Sequence, residues 1–383
     1  MKKKIIYSIF IFILLTPLWL FLFWSFSPYK TINVLILDKT VLTPYGNEHR
    51  SFNWVLTHFK YVNHSKNLYD VSKDYYGFFP KDNYEYEIFD FGNFADKQLD
   101  SLSNVYDMAY YTDTYGIYTQ EWFAKKNLGD RSSLIYGGLT NREVYFLQKM
   151  KEKQKLIICE FNFFATPTKK RIKDKAGDMF GIEWTGWILK YFKSLDTNIN
   201  KDIPAWVISL YKQQNNGVWP FSKPGIVFAH EDERIVILED KTNLIEEAPY
   251  IISGENSIKR FGIRDKIPYP YWIEITYNKG PNNVVSEFHI YPNSSGDSLM
   301  KKYGIPTIFP AVLEHYDDYK FYYFAGDFAD NPLGHMYTAK FKWIELLTPL
   351  TFRKSDIEDR NYFFWKYYLP MMNTILNNYM KHS

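Results

Sequence analysis

Residues Leu134–Thr168 read LIYGGLTNREVYFLQKMKEKQKLIICEFNFFATPT, a short apolar strand, a Gly-Gly turn, an amphipathic helix, a second apolar strand and a polar loop. Thr140-Asn141-Arg142-Glu143 fits the capping box S/T-x-x-E, in which two helix-end amides are satisfied reciprocally. The helix opened there, Asn141 to Lys153, places Val144, Leu147 and Met150 on one face. This is one β-turn-α-β unit of a layered α/β domain, and the ligand edge of such a sheet lies where its strands end.

Working outward, Thr31–Lys39 (TINVLILDK) is a β-branched apolar run that reads as the first, central strand, buried on both faces. Helical spacing of Phe52, Val55, Leu56, Phe59 and Val62 predicts a helix within Asn47–Val62, followed by a surface loop over Asn63–Asp82. Tyr84–Phe91 and Tyr106–Asp113 read as further strands around a short helix at Asp96–Leu102, and Trp184–Leu195 as an amphipathic helix. The pattern then turns to strands: Gly225–Glu239 forms two around an acidic turn, and Pro270–Tyr277 and Asn283–Tyr291 two more. Alternation returns with a helix at Ser298–Tyr303, a strand at Lys320–Ala325 and a closing helix at Ile357–Met380 that Pro370 should kink. The expected fold is α/β, a doubly wound and mostly parallel sheet of the flavodoxin-like or amidotransferase-like kind over residues 30–215 and 298–383. Residues 217–295 read as a β-rich insertion or small second domain.

The N-terminus predicts a membrane anchor. Ile5–Phe26 carries no charge and, at about 1.5 Å per residue, can cross a hydrocarbon core of about 30 Å. Lys2, Lys3 and Lys4 precede it and place residues 1–4 in the cytoplasm and the main body outside the inner membrane. A cleaved signal peptide competes through Ser25-Phe26-Ser27, but the apolar run is longer than such peptides use. Those three lysines account for the whole net charge of +3, so the main body is neutral and a nucleic-acid backbone is not an expected partner. The single cysteine, Cys159, excludes an internal disulfide and a Cys-based zinc site. Aromatics at 20% suit a sugar-stacking surface, although a Tyr/Phe-rich bias spread over the chain explains them as well.

Each expected parallel strand delivers an acid near its end: Asp38, Asp90, Asp113, Glu160 and Asp327. Carboxylates converging on one edge suit a cation, an amine or sugar hydroxyls, or a raised-pKa acid beside an ionised base. Singly, an acid after a strand more often caps a helix or forms a turn. Asp113 and Glu160 are the candidate catalytic pair, because they flank the Gly-Gly turn in sheet order. Asp38, Gly137, Gly138, Asn162, Asp327 and His335 are the candidate ligand-binding residues. The Gly137 and Gly138 amides can hold an anion at the helix N-terminus, and a tight turn explains them equally. Cys159 ends an apolar strand where a nucleophile can sit, and a buried small hydrophobe is the preferred reading. His230 with Glu231 and Asp232 reads as a solvated turn. Glu314-His315 with Asp317 and Asp318, and His335, lie near the edge as candidate bases or metal ligands. Trp184 and Trp187 with Glu183 fit either an aromatic wall or core. The sequence assigns no cofactor and no metal site.

The order of elements from Asn33 to Ala165, with Leu134-Ile135-Tyr136-Gly137-Gly138 before a helix and strand, resembles the class I glutamine amidotransferase-like superfamily. Lys320–Asp327 looks like that superfamily's late strand. Catalytic members raise a cysteine on a Gly-x-Cys-x-Gly elbow and follow the late strand with a His-x-Glu pair. Here the elbow position reads Ile157-Ile158-Cys159-Glu160-Phe161, without the small residues a strained turn needs. Gly326-Asp327-Phe328-Ala329-Asp330 holds no histidine in register, and His335 is the nearest downstream. The resemblance therefore implies a fold and a pocket position, not the glutaminase triad. Three functions remain: a membrane-anchored domain binding or processing a cell-envelope carbohydrate, a carboxylate- or metal-dependent envelope hydrolase, or a non-enzymatic subunit contacting an envelope protein.

Overall fold

The structure, a computed structural model, describes residues 14–124, 132–350, 352 and 356–382. Its strands are β1 (Val34–Asp38), β2 (Tyr76–Pro80), β3 (Tyr86–Phe89), β4 (Met108–Asp113), β5 (Leu156–Cys159), β6 (Ile182–Phe192) and β7 (Gly225–His230). They continue as β8 (Ile235–Glu239), β9 (Tyr250–Ser253), β10 (Lys266–Pro268), β11 (Ile273–Asn278), β12 (Asn283–His289), β13 (Ile308–His315) and β14 (Lys320–Phe324), two- and three-residue pairings elsewhere aside. Helices α1 (Thr16–Phe26), α2 (Asn47–His58), α3 (Asp96–Val105), α4 (Asn141–Glu152) and α5 (Lys170–Phe180) are the ones that frame the site.

A ten-stranded sheet runs β10-β9-β12-β13-β14-β5-β4-β1-β2-β3. Only β14, β5, β4, β1 and β2 are mutually parallel; the strands on either side pair antiparallel. The parallel strands β1, β4 and β5 are buried along their whole length, as continuous apolar runs between two layers must be. A second, four-stranded antiparallel sheet runs β8-β7-β6-β11. It meets the first at the end of β14, where the Glu274 amide donates to the Ala325 carbonyl at 2.8 Å and Ile273 bridges Gly326. Strands of the 217–295 stretch are thus divided between the two sheets.

The expected doubly wound, mostly parallel sheet is corrected to this mixed one. Strand β13, over residues the sequence reading left unassigned, is the missing piece; its Pro310 sits where the pairing with β12 shifts register, a place that tolerates the lost N–H. Trp184–Leu195 is strand β6, not a helix. A bulge between Trp184 and Ile188, with Gly186 at φ +89°, breaks the alternation and brings the aromatic spacing close to a helical period. The loop expected over Asn63–Asp82 contains β2. Pro370 is absorbed by a π-helical turn at Phe364–Tyr368, which continues into Leu369–His382.

The single-pass anchor is also corrected. Residues 5–13 of the apolar run lie outside the described residues, and among those described no helix is long and apolar enough to cross a membrane. Helix α1 has 11 residues, and its last turn is fixed to the domain. The buried Trp24 indole donates to the Thr57 carbonyl at 3.0 Å, and Lys60 caps Ser25 and Ser27 carbonyls at 2.6 and 2.8 Å.

Candidate functional site

The parallel strands end in acids because each apolar run stops at the sheet's carboxyl edge, and the register places Asp38 of β1 beside Asp113 of β4. Asp38 is fully buried. Its Oδ2 lies 2.5 Å from His49 Nδ1, and its Oδ1 accepts the Thr40 amide at 2.9 Å. His49 Nε2 stands 2.8 Å from the Val71 carbonyl, which can only accept, so Nε2 carries a proton. Asp113, 8% exposed, accepts the Tyr115 amide at 2.7 Å and the Asn162 side-chain amide at 3.1 Å. Asn162 adopts the left-handed conformation (φ 68°) that Asn tolerates, and this aims its amide at Asp113.

Asp327, expected at this edge, is joined by two groups the sequence did not single out. Glu48, in the first turn of α2, and Asp330 and Asp327, after β14, complete an acidic ring. Burial raises the Glu48 carboxyl well above the ordinary range, with Asp38, Asp330 and Asp113 adding to it. Asp113 is raised in the same way, by burial first and then by Asp38 and Asp327. Asp327 is pushed up to about 7 by burial and Asp330, against the opposing pull of Arg360. Arg360 donates to Asp330 Oδ2 at 2.7 Å and to the Asp327 carbonyl at 3.1 Å, and its guanidinium stacks 4.1 Å from the Tyr271 ring centre. The second sheet adds Trp272, whose ring runs nearly parallel to that of Phe161 (11°, centroids 6.4 Å apart). No local pattern marks Arg360 or Trp272, and only the spacing of Asp327 and Asp330 at one strand end was available to reading.

The other expected residues are placed as follows. Glu160 is fully buried: Oε2 accepts the Phe328 and Ala329 amides at 3.0 and 2.9 Å, and Oε1 accepts the Tyr110 hydroxyl. It lies beside Asp327 electrostatically but faces no solvent. In the Gly-Gly turn the amides from Gly138 to Thr140 are already engaged within the fold. The Gly138 amide goes to the Thr114 carbonyl at 2.7 Å, Leu139's to Thr168 Oγ1 at 2.8 Å, and Thr140's to Glu143 at 2.7 Å. Gly137 is needed for closeness, since a Cβ there would stand 2.3 Å from the Tyr115 carbonyl oxygen. Beneath the turn, buried Lys39 joins Glu143 at 2.6 Å and the Gly138 carbonyl at 2.8 Å. His335 is exposed, stacked on Tyr337, and among the described residues has no hydrogen bond to the carboxylates. Asp90 follows an antiparallel strand and turns back onto the Gly92 amide at 2.8 Å. Cys159 is core, its thiol pushed well up by burial and by Glu160 and Glu274.

His230 pairs with Asp232 at 2.7 Å, His315 with Asp318 at 2.5 Å, and Glu314 takes a bidentate Arg260 at 2.5 and 2.6 Å. Among the described residues no three of His, Cys, Asp and Glu are placed to share a metal ion. A cavity of about 630 Å³ between α5 and the start of β6 is lined by Lys173, Glu183, Trp184, Glu231 and Lys279, and by none of the edge carboxylates. Trp187, expected beside Trp184, is buried.

No protein-family model and no curated protein matches the chain. Among solved structures, a ThuA-like protein from Bacteroides uniformis is similar at 10% identity and a TM-score of 0.37, over 83% of this chain and 93% of that one. A second, from Parabacteroides merdae, is similar at 9% identity and a TM-score of 0.35, over 77% and 79%. A β-galactosidase from Rahnella sp. R3 follows at 8% and 0.30, over 86% of this chain and 32% of its own. ThuA-like proteins have a class I glutamine amidotransferase-like fold, and likenesses this slight say nothing of ligand or activity.

Proposed function

We propose that the carboxyl edge binds a carbohydrate. The observation that carries this reading is the partly exposed Trp272 ring, which pairs with buried Phe161, the residue before the Asn162 that donates to Asp113, while the Trp272 carbonyl accepts the Asp327 amide at 3.3 Å. An aromatic face takes the C–H side of a sugar ring, while carboxylates and an amide take its hydroxyls. Asp113 is the central acceptor, Asn162 orients it, and Asp327 with Arg360 forms the far wall. Glu160 acts at one remove, by fixing the loop that carries Asp327.

The test is a titration of the full chain with glucose, galactose, mannose, N-acetylglucosamine and glucuronate, followed by calorimetry and tryptophan fluorescence. One of these should bind, and Asp113→Asn and Trp272→Ala should each weaken it by about tenfold or more, the loss of one well-placed hydrogen bond or one stacked face. If neither signal moves with any sugar of the panel at tens of millimolar, the proposal fails. A second reading, glycoside hydrolysis, is favoured by one observation: Asp327, held near 7, is poised to donate a proton near neutrality. Release of 4-nitrophenol from nitrophenyl glycosides, lost in Asp327→Asn, is its signature.

A further inference from the structure

An apolar face is built jointly by α1 and by the chain after β14, where Trp343 leads into the 3-10 turn Ile344–Leu350. On the helix, Leu18, Phe21, Phe23 and Phe26 are 39–83% exposed; after it, Trp343, Leu346 and Leu347 are 43–73% exposed. The two pieces are continuous: the Phe23 and Trp343 rings stand 5.2 Å apart, and the Lys342 amide donates to the Leu20 carbonyl at 3.0 Å. Helix α1, TPLWLFLFWSF, holds no charge, and a helix apolar nearly all round needs cover on every side. The described residues bury it only at Trp24. Contiguous exposed apolar surface of this kind marks a place of contact.

The charges around the face say what makes that contact. Lys60 Nζ lies 5.1 Å from the Trp24 ring centre while it holds the Ser25 and Ser27 carbonyls, and Lys340 lies 5.8 Å from the same ring. Lys66 stands 5.2 Å from the Tyr29 ring. Lys30 comes next in the chain, and burial, then Lys342 and Lys381, hold its ammonium below the usual lysine range. The turn's own acid, Glu345, is engaged by His58 at 3.3 Å. Lysines gathered at the base of a bare apolar helix, among Trp24, Tyr29 and Trp343, fit a boundary between hydrocarbon and anionic headgroups, where lysine stems lie on apolar surface and their ammonium groups reach the polar layer. A second copy of the chain fits worse, because it would bring two lysine collars into one interface.

We propose that the face made by α1 and Trp343–Leu347 docks on an anionic lipid surface, with the helix lying along the interfacial zone rather than crossing it. The fold gives this docking an orientation. Lys30 precedes β1, and Thr57, bonded by the Trp24 indole, lies at the end of α2, so the collar sits at the amino ends of the parallel strands. Asp38 and Asp113 close β1 and β4 at the opposite ends. A chain docked in this way keeps its carboxyl edge turned to water.

The full chain is mixed with vesicles of phosphatidylcholine, alone or with phosphatidylglycerol, and floated through a density gradient. Partition should rise by about tenfold or more with the anionic lipid, and molar salt should remove that gain. Lys340→Gln with Lys342→Gln should lower binding to the anionic vesicles by about tenfold or more, at about fivefold per lysine, and leave binding to phosphatidylcholine unchanged. Leu346→Ser with Leu347→Ser should lower binding to both vesicles by about tenfold or more. These side chains are partly or fully exposed, so melting in buffer should match the parent. Flotation that neither pair of substitutions changes overturns the proposal, because the collar and the turn then take no part in lipid contact. A chain that floats with neither lipid overturns it as well. So does a lipid-free dimer that Leu346→Ser with Leu347→Ser dissociates, since a second copy then covers the face.

Discussion

Glu160 and Glu274 are built alike, and the likeness explains why neither is a reactive group. Each is a fully buried carboxylate that accepts two consecutive loop amides and one tyrosine hydroxyl. Glu160 holds Phe328 and Ala329 with Tyr110; Glu274 holds Phe164 and Ala165, at 3.0 and 2.6 Å, with Tyr323 at 2.5 Å. The two clamped loops are those that carry Asp327 and Asn162, so the clamps set the distance between the walls of the site. Glu160→Ala would remove three hydrogen bonds and leave the Ala329 amide unpaired, since the Phe328 amide keeps the Gly326 carbonyl and the Tyr110 hydroxyl keeps Tyr368, and should cost about 2–4 kcal/mol in urea denaturation. Glu160→Gln keeps an acceptor oxygen for the two amides and should cost about 1–2 kcal/mol. An alanine variant within about 1 kcal/mol of the parent would show that the clamp is not structural. That Glu160 ends a strand is visible in the sequence. Its partners stand 168 and 169 residues downstream, and no local pattern points to them.

At the scale of the element, α4 shows what local chemistry can specify. Its capping box forms as the sequence requires: Glu143 accepts the Thr140 amide at 2.7 Å and donates its own amide to Thr140 Oγ1 at 3.3 Å. What the sequence does not show is that the same Glu143 neutralises buried Lys39. The two roles separate by magnitude. Thr140→Ala removes one cap bond and should cost about 1 kcal/mol. Glu143→Ala removes the cap and also strands a buried ammonium, so thermal or urea unfolding should show about 3–5 kcal/mol. Lys39→Met with Glu143→Leu should recover most of that loss, because no unpaired charge remains; if the double variant is as weak as Glu143→Ala, the ion pair is not the cause. Elements whose signal is local, α4 and the apolar run of β1, were legible. Those shaped by an irregularity were not: the β6 bulge at Gly186 disguised a strand as a helix, and β13, with Pro310 at its register shift, was left unassigned. The lost strand is also why the sheet read as parallel, since β13 is the turning point between its parallel and antiparallel halves.

For the whole molecule, the buried acids combine into one pH dependence. Glu48, Asp113, Glu160, Glu274 and Asp327 are all raised, burial being the first cause in each, with Glu274 and Asp327 at about 7. A raised acid keeps its proton in the folded state after the unfolded chain has lost it. Its contribution is therefore fully present below the ordinary carboxyl value and declines as pH climbs toward the folded value. For Glu274 and Asp327 the decline falls between about pH 4 and 7, on the order of 3 kcal/mol each at the upper bound. Acids shifted the other way do not cancel it. Asp232, lowered to about 2 by its hydrogen bonds to Arg234 and His230, changes only below its ordinary value, on the acid side of that window. The protein should thus be most stable near pH 5 and lose stability steadily to about pH 8, whereas most proteins hold a plateau there. Urea midpoints at pH 5, 6, 7 and 8 measure the slope, and Glu274→Gln, which keeps an acceptor but no titrating proton, should flatten it. A midpoint that is constant or rises over this range would mean that the edge carboxylates are ionised in the folded chain. The acid of pKa about 7 invoked at Asp327 for hydrolysis would then be absent, while the Trp272 ring and the Asp113–Asn162 contact, which need no proton, would still serve a sugar.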